Sequence, residues 1–131
     1  MRRASDWLKQ ARSSLNLARY SMKGEYYWAA CFFAQQAAEY AVKGLLASLG
    51  KEARGHSIYE LLVEARGFNV SVSNELLSKA RSLDRHYLHA RYPNLYYVGA
   101  PMDYYTREDS EKALGEAEEI VRFCEKRVGE G

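Results

Sequence analysis

Cysteine and proline are scarce, two of each in 131 residues. Two isolated thiols, Cys31 and Cys124, can build neither a disulfide scaffold nor a four-thiolate metal site. Nine glycines and two prolines exclude collagen-like and proline-rich linker readings. No stretch approaches the ~18 uninterrupted apolar residues of a transmembrane helix. The opening Met1-Arg2-Arg3-Ala4-Ser5-Asp6 leads into an amphipathic stretch without the apolar block of a signal peptide, so a soluble, cytoplasmic protein is expected. The three histidines have no clustered metal-ligand spacing, and no glycine-rich phosphate loop is present. Neither a metal nor a cofactor is therefore expected.

What is present is ordinary globular material: 47% hydrophobic and 27% charged residues, in one domain spanning residues 1–131. The net charge of +2 is unevenly distributed. Residues 1–50 carry 7 Lys/Arg against 3 Asp/Glu, residues 51–90 carry 6 against 5, and residues 106–131 carry 5 against 8. That density is too low for an obvious duplex-DNA binder, but it permits a local positive cleft for a nucleotide or short RNA.

Apolar periodicity predicts helices. Leu8, Ala11, Leu15, Ala18 and Met22 form one stripe from about Ser5 to Met22, with Ser5 as cap and Gly24 as stop. Trp28, Phe32, Gln35, Glu39, Val42, Leu46 and Leu49 line a second helix, from about Glu25 to a stop at Gly50. Its extra alanines make it the central one. Ser57-Ile58-Tyr59-Glu60 is a capping box opening a short third helix that ends at Gly67. Val72, Leu76, Ala80, Leu83 and Tyr87 form the fourth, capped by Ser71 or Ser73. The fifth starts at Thr106, with Asp109 completing a capping box, and runs through Ala113, Leu114, Ala117, Ile120, Val121, Cys124 and Val128. No period-two stretch competes. The expected fold is all-α, an up-down bundle of four to five helices.

A long connection from about His89 to Tyr105 holds Pro93, Gly99 and Pro101, which exclude an undisturbed helix. Six of the eleven tyrosines lie between positions 87 and 105: Tyr87, Tyr92, Tyr96, Tyr97, Tyr104 and Tyr105. Such rings either cover an end of the bundle or a dimer contact, or stack on bases. Gln35, Glu39 and Lys43 share a helical face. Glu39–Lys43 has the favourable order for an ion pair, and the alternative is that Gln36 and Lys43 face a cleft and read phosphate or base. His56 is expected to bond a backbone group beside the capping box. Cys31 and Cys124 fall on apolar stripes and read as core thiols.

Three stretches together resemble a known family: Phe33-Ala34-Gln35-Gln36-Ala37-Ala38-Glu39-Tyr40-Ala41-Val42-Lys43-Gly44-Leu45-Leu46, then Gly55-His56-Ser57-Ile58, then Leu83-Asp84-Arg85-His86-Tyr87 with Ala90-Arg91-Tyr92-Pro93-Asn94. The chain is similar over nearly its whole length to the HEPN domain family, in its small stand-alone prokaryotic form. The resemblance implies a helical bundle, commonly a homodimer, that binds RNA or a nucleotide. It also implies two alternatives: a metal-independent endoribonuclease, often a toxin paired with a small nucleotidyltransferase, or a non-catalytic helical partner of such a transferase. In that last setting Tyr87 or Tyr92 would be the nearest acceptors of an AMP group.

The family's ribonucleases carry an Arg and a His separated by four to six residues, which falls here on Arg81 and His86. Imidazole titrates near neutrality and can move a proton, and a guanidinium can hold the charge developing on a phosphoryl group. RNA's own 2′-hydroxyl would attack, so no cofactor is needed. Positions five apart lie about 140° apart on a straight helix, so a kink or a site shared across a dimer is required for the two to converge. In the binding version Arg81, Arg85 and Arg91 hold phosphate, Tyr87 or Tyr92 stacks on a base, and Lys43 assists. The expected site lies where the fourth helix gives way to the tyrosine-rich connection.

Overall fold

The computed structural model describes residues 2–130. Among the described residues there are helices and no strand. The order is α1 (Arg2–Lys23), α2 (Tyr27–Ser48), α3 (Ile58–Arg66), α4 (Asn74–Asp84), α5 (His86–His89), a 3-10 turn (Pro93–Leu95), α6 (Pro101–Tyr104) and α7 (Arg107–Glu130). None of these helices is long and apolar enough to cross a membrane. The expected all-α bundle is present, with α2 at its centre packed against α1, α3, α4, α5, α6 and α7.

The helix ends differ from the sequence expectations in instructive ways. Helix α1 begins before Ser5, which lies inside it. Its reversal is made by Glu25, at φ 67°, rather than by Gly24: Tyr26 N–H donates to the Ser21 carbonyl at 2.9 Å and Glu25 N–H to that of Met22 at 3.0 Å. Those paired bonds satisfy the last carbonyls and offset the cost of a left-handed glutamate. Helix α3 ends the same way on Asn69, also at φ 67°, while Gly67 stays right-handed. Gly50, at φ 82°, does terminate α2 as expected. Ser73, not Ser71, caps α4, its hydroxyl accepting from Leu76 N–H at 3.0 Å. The Thr106–Asp109 box forms, with reciprocal bonds of 2.9 and 3.2 Å.

Small residues let the helices approach closely. Ala30, Ala34, Ala37, Ala38 and Ala41 of α2 are fully buried. At Gly44 a Cβ would sit 3.0 Å from Trp7 Cβ and 3.2 Å from the Ala4 carbonyl oxygen, so α1 and α2 touch there with no room for a methyl group. Arg12 grips Glu125 through two bonds of 2.7 and 2.6 Å, and Arg19 reaches Glu118 at 2.8 Å, fastening α1 to α7. Cys31 and Cys124 are buried core thiols, as expected.

A polar cluster sits inside α2. Glu39 is 2% exposed, and its carboxylate takes Lys43 Nζ at 2.9 Å, His56 Nδ1 at 3.1 Å and Gln35 Nε2 at 3.2 Å. The Glu39–Lys43 ion pair is therefore real, and it is buried. His56 bonds this carboxylate rather than a backbone group, and its own carbonyl accepts from Gln35.

The connection after α5 is more ordered than its prolines imply. Tyr96 donates to the His89 carbonyl at 2.7 Å, Tyr104 donates to that of Val98, and the Tyr96 and Tyr104 rings stack at 4.7 Å. Pro101 opens α6, where a proline's missing N–H leaves no helical bond unmade.

Candidate functional site

The Arg81–His86 segment is built around a side chain that the sequence reading passed over. Asp84, the last residue of α4, turns inward and caps α3. Its carboxylate accepts from Ile58 N–H at 2.7 Å, Tyr59 N–H at 3.1 Å and the Ser57 hydroxyl at 2.9 Å. A negative group at a helix N-terminus satisfies otherwise orphaned amides and complements the dipole. Ser57 still caps in the expected manner, accepting from Glu60 N–H at 3.1 Å. With Asp84 anchored, the helix breaks at Arg85 and resumes as α5 at His86. The single continuous fourth helix expected through Tyr87 is thus two helices, and the interruption between them does not bring Arg81 and His86 together.

Around this break the side chains diverge. The Arg81 guanidinium lies over the Tyr59 ring of α3, 3.8 Å from its centroid. His86 turns toward the α6–α7 junction, where Nδ1 meets the Tyr105 hydroxyl at 2.7 Å. The two border different cavities. Arg81 lines a groove of ≈ 470 Å³ between α4 and α7, with Lys79, Ser82, Arg85, Lys112 and Glu116 on its walls. His86 lines a cavity of ≈ 260 Å³ with His89, Tyr96, Tyr105 and Asp109. Arg85 is shared: it borders both of these and a third cavity of ≈ 340 Å³ with His56, Asp84 and Tyr87. Within one chain Arg81 and His86 are not brought into contact, and Arg85 links their surroundings.

The electrostatics follow from burial. The His86 ring is pushed down to about 4, chiefly by desolvation and then by the Arg85 charge. It is therefore neutral at pH 7, and its Nδ1 shares a 2.7 Å hydrogen bond with the Tyr105 hydroxyl, itself raised by burial. Burial also lifts the Glu116 carboxyl above its ordinary range, while Ser82 and Lys112 pull it part of the way back. The Cys31 thiol rises to about 12 on burial and is no nucleophile near neutrality.

The other expected ligand residues have definite partners. Arg91 directs its fork at the Tyr87 carbonyl, at 2.8 and 2.6 Å, and sits over the rings of Phe32, Tyr87 and Tyr92 at 4.4–4.9 Å. Its cation closes the C-terminal end of α5 and holds the bend into Pro93. Tyr87 stacks on His56 at 4.4 Å, whereas Tyr92 is 43% exposed. Lys43 lines a separate cavity with Trp7 and Lys51, its charge turned toward Glu39. Among the described residues no group of three or more His, Cys, Asp or Glu is placed to hold a metal ion.

Asp84, Tyr105, Lys112 and Glu116 were not singled out as site residues from sequence. Tyr105 belonged to the aromatic run, but nothing local separated it from its neighbours. Lys112 and Glu116 read as the charged face of an acidic helix, and only the packing of α7 on α4 places them opposite Arg81 and Arg85.

Comparison with known proteins agrees with this architecture. The family model described as HEPN domain matches residues 4–127. A protein of Methanocaldococcus jannaschii named "Putative toxin MJ1304" is 31% identical over 125 residues, covering 88% of this chain and 81% of that protein. The crystal structure of TT1696 from Thermus thermophilus superposes with a TM-score of 0.94 at 43% identity, over 97% of this chain and 99% of that one. ST0689, described as an archaeal HEPN homologue, gives 0.82 at 43% identity, over 98% and 99% of the two chains. A HEPN domain protein of Thermotoga maritima gives 0.76 at 31% identity, over 95% and 98%. Matched in sequence nearly from end to end and in fold to solved members, the chain belongs to the HEPN domain family.

Proposed function

We propose that this protein binds RNA or a nucleotide at the α4–α5 break, with Arg85 as the central phosphate anchor. The observation that carries this reading is the position of Arg85, exposed at the junction of three cavities. Among the described residues neither Arg85 nor Arg81 makes an ion pair, so both forks are open to an anion. A guanidinium receives phosphate oxygens bidentately, and the stacked Arg81–Tyr59 pair holds its fork in a fixed plane at low entropic cost. The half-exposed Tyr104 ring lines one of the cavities that Arg85 borders and offers a stacking surface there.

Fluorescence anisotropy with a labelled single-stranded RNA, in chelator, tests this. Arg85→Ala is expected to weaken binding about tenfold, in keeping with the loss of a charge-assisted contact. Unchanged affinity in both Arg85→Ala and Arg81→Ala would sink the reading.

A second reading is favoured by the name of the Methanocaldococcus relative, which designates a toxin. In it the site cleaves RNA without metal. The 2′-oxygen attacks the neighbouring phosphorus as its proton passes to the neutral His86 ring. The bond to the 5′-oxygen then breaks, that oxygen taking a proton back from the imidazolium or from water, which leaves a 2′,3′-cyclic phosphate and a 5′-hydroxyl. Arg81 would then oppose the developing charge from a second copy, because it does not meet His86 within one chain. The homodimer belongs to this proposal, and Tyr97, Val98 and Met102 stand exposed as a surface for it. A nucleotidyltransferase partner belongs to it as well, with the exposed Tyr92 better placed than the stacked Tyr87 to accept a group. Cleavage of RNA in chelator, lost in His86→Ala and in Arg81→Ala but restored by mixing the two variants, is the expected signature. Cleavage surviving both substitutions rules this reading out.

A further inference from the structure

The α4–α7 groove holds a group that the phosphate reading does not use. Glu116 lies on the groove wall and is 9% exposed; Ser82 hydrogen-bonds its carboxylate, while its buried Oε1 has no hydrogen-bond partner among the described residues. Its other oxygen lies 4.0 Å from Lys112 Nζ, and that ammonium also reaches the Ser82 hydroxyl at 3.4 Å. A buried carboxylate oxygen left without a donor costs free energy, and native structures rarely keep one without a purpose. The same walls carry Arg81, Arg85 and Lys112. A ligand that suits this groove therefore needs negative charge for the cations and hydrogen-bond donors for the carboxylate.

We infer that Glu116 reads a guanine base whose phosphate is held by Arg81 and Arg85, so that the groove selects guanosine nucleotides or guanine-containing RNA. This rests on the phosphate-binding reading above and adds a base preference to it. The chemistry of the four bases decides it. Guanine presents two adjacent donors, N1–H and the N2 amino group, to a single acceptor-only carboxylate. Adenine and cytosine each place a ring nitrogen lone pair beside their amino group, which would face the carboxylate oxygens. Uracil has one N–H between two carbonyls, with the same conflict on either side. A volume of ≈ 470 Å³ is within the range of small-molecule pockets.

The test is calorimetric titration of the protein with GMP, IMP, AMP, CMP and UMP. GMP is expected to bind roughly tenfold tighter than AMP, CMP and UMP, with IMP, which lacks the N2 amino group, in between. Glu116→Gln is expected to bring GMP down to the level of the others without lowering the melting temperature of the free protein. A residue held in place for structure alone would do the reverse. Arg85→Ala is expected to weaken all five together and keep their ranking. Equal affinities in the wild type that still depend on Arg85 would overturn the guanine inference and leave phosphate binding standing. A GMP preference that survives Glu116→Gln overturns the role of Glu116. Failure to bind any of the five, or RNA, removes both readings together.

Discussion

His86 is the residue whose chemistry the fold alters most. Burial and the nearby Arg85 charge favour the neutral ring, whose ionisation falls from the ordinary histidine range to about 4. Below about pH 6.5 the unfolded chain takes up a proton that the folded chain refuses until about pH 4. Stability is therefore full above that window and falls as the pH drops through it, by about 3 kcal/mol at most. Urea unfolding at pH 7 and pH 4.5, compared between wild type and His86→Gln, is expected to show a steeper acid loss in the wild type. Tyr105→Phe leaves the buried His86 Nδ1 without its 2.7 Å partner and is expected to cost about 1–3 kcal/mol in the same assay at pH 7. Arg81 and His86 stood out in the sequence because their spacing is a local pattern. Tyr105 and Glu116 did not, because what distinguishes each is a neighbour at least nineteen positions away, His86 in one case and the α4 groove in the other.

Helices carry the second level of organisation, and two contacts between them are open to test. Asp84 gives the N-terminus of α3 two amide acceptors and a hydroxyl partner from another helix. Asp84→Ala is expected to destabilise the fold by about 2 kcal/mol and to speed hydrogen exchange at the Ile58 and Tyr59 amides. Lys43 neutralises a carboxylate that is 2% exposed, and its own side chain is only 11% exposed. Lys43→Met leaves that charge buried and less compensated, and is expected to cost about 3–5 kcal/mol in chemical denaturation. The capping boxes at Ser57 and Thr106 were readable because each is a four-residue device. The reversals at Glu25 and Asn69 were not, since the backbone bonds that make them outweigh the preference for glycine.

Over the whole molecule, charge distribution outweighs net charge. The chain is only slightly basic, yet Arg81, Arg85 and Lys112 converge on one groove. If all three contact phosphates, the logarithm of RNA affinity falls against the logarithm of salt with a slope of about −2, and Lys112→Ala makes it shallower by about 0.7. Anisotropy titrations between low and moderate salt measure this, and a slope near zero would mean that the groove does not engage the backbone.

By itself the sequence determined the all-α class, the central place of the alanine-rich α2, the core thiols and the family, because periodicity, caps and a near-continuous motif are properties of neighbours along the chain. Only the tertiary structure decided that the fourth helix breaks at Arg85, that Arg91 holds a bend among aromatic rings, that His86 is kept neutral, and that Glu116 faces the cations of α4. Each of these depends on desolvation or on a partner far away in sequence, and those quantities exist only once the helices have packed.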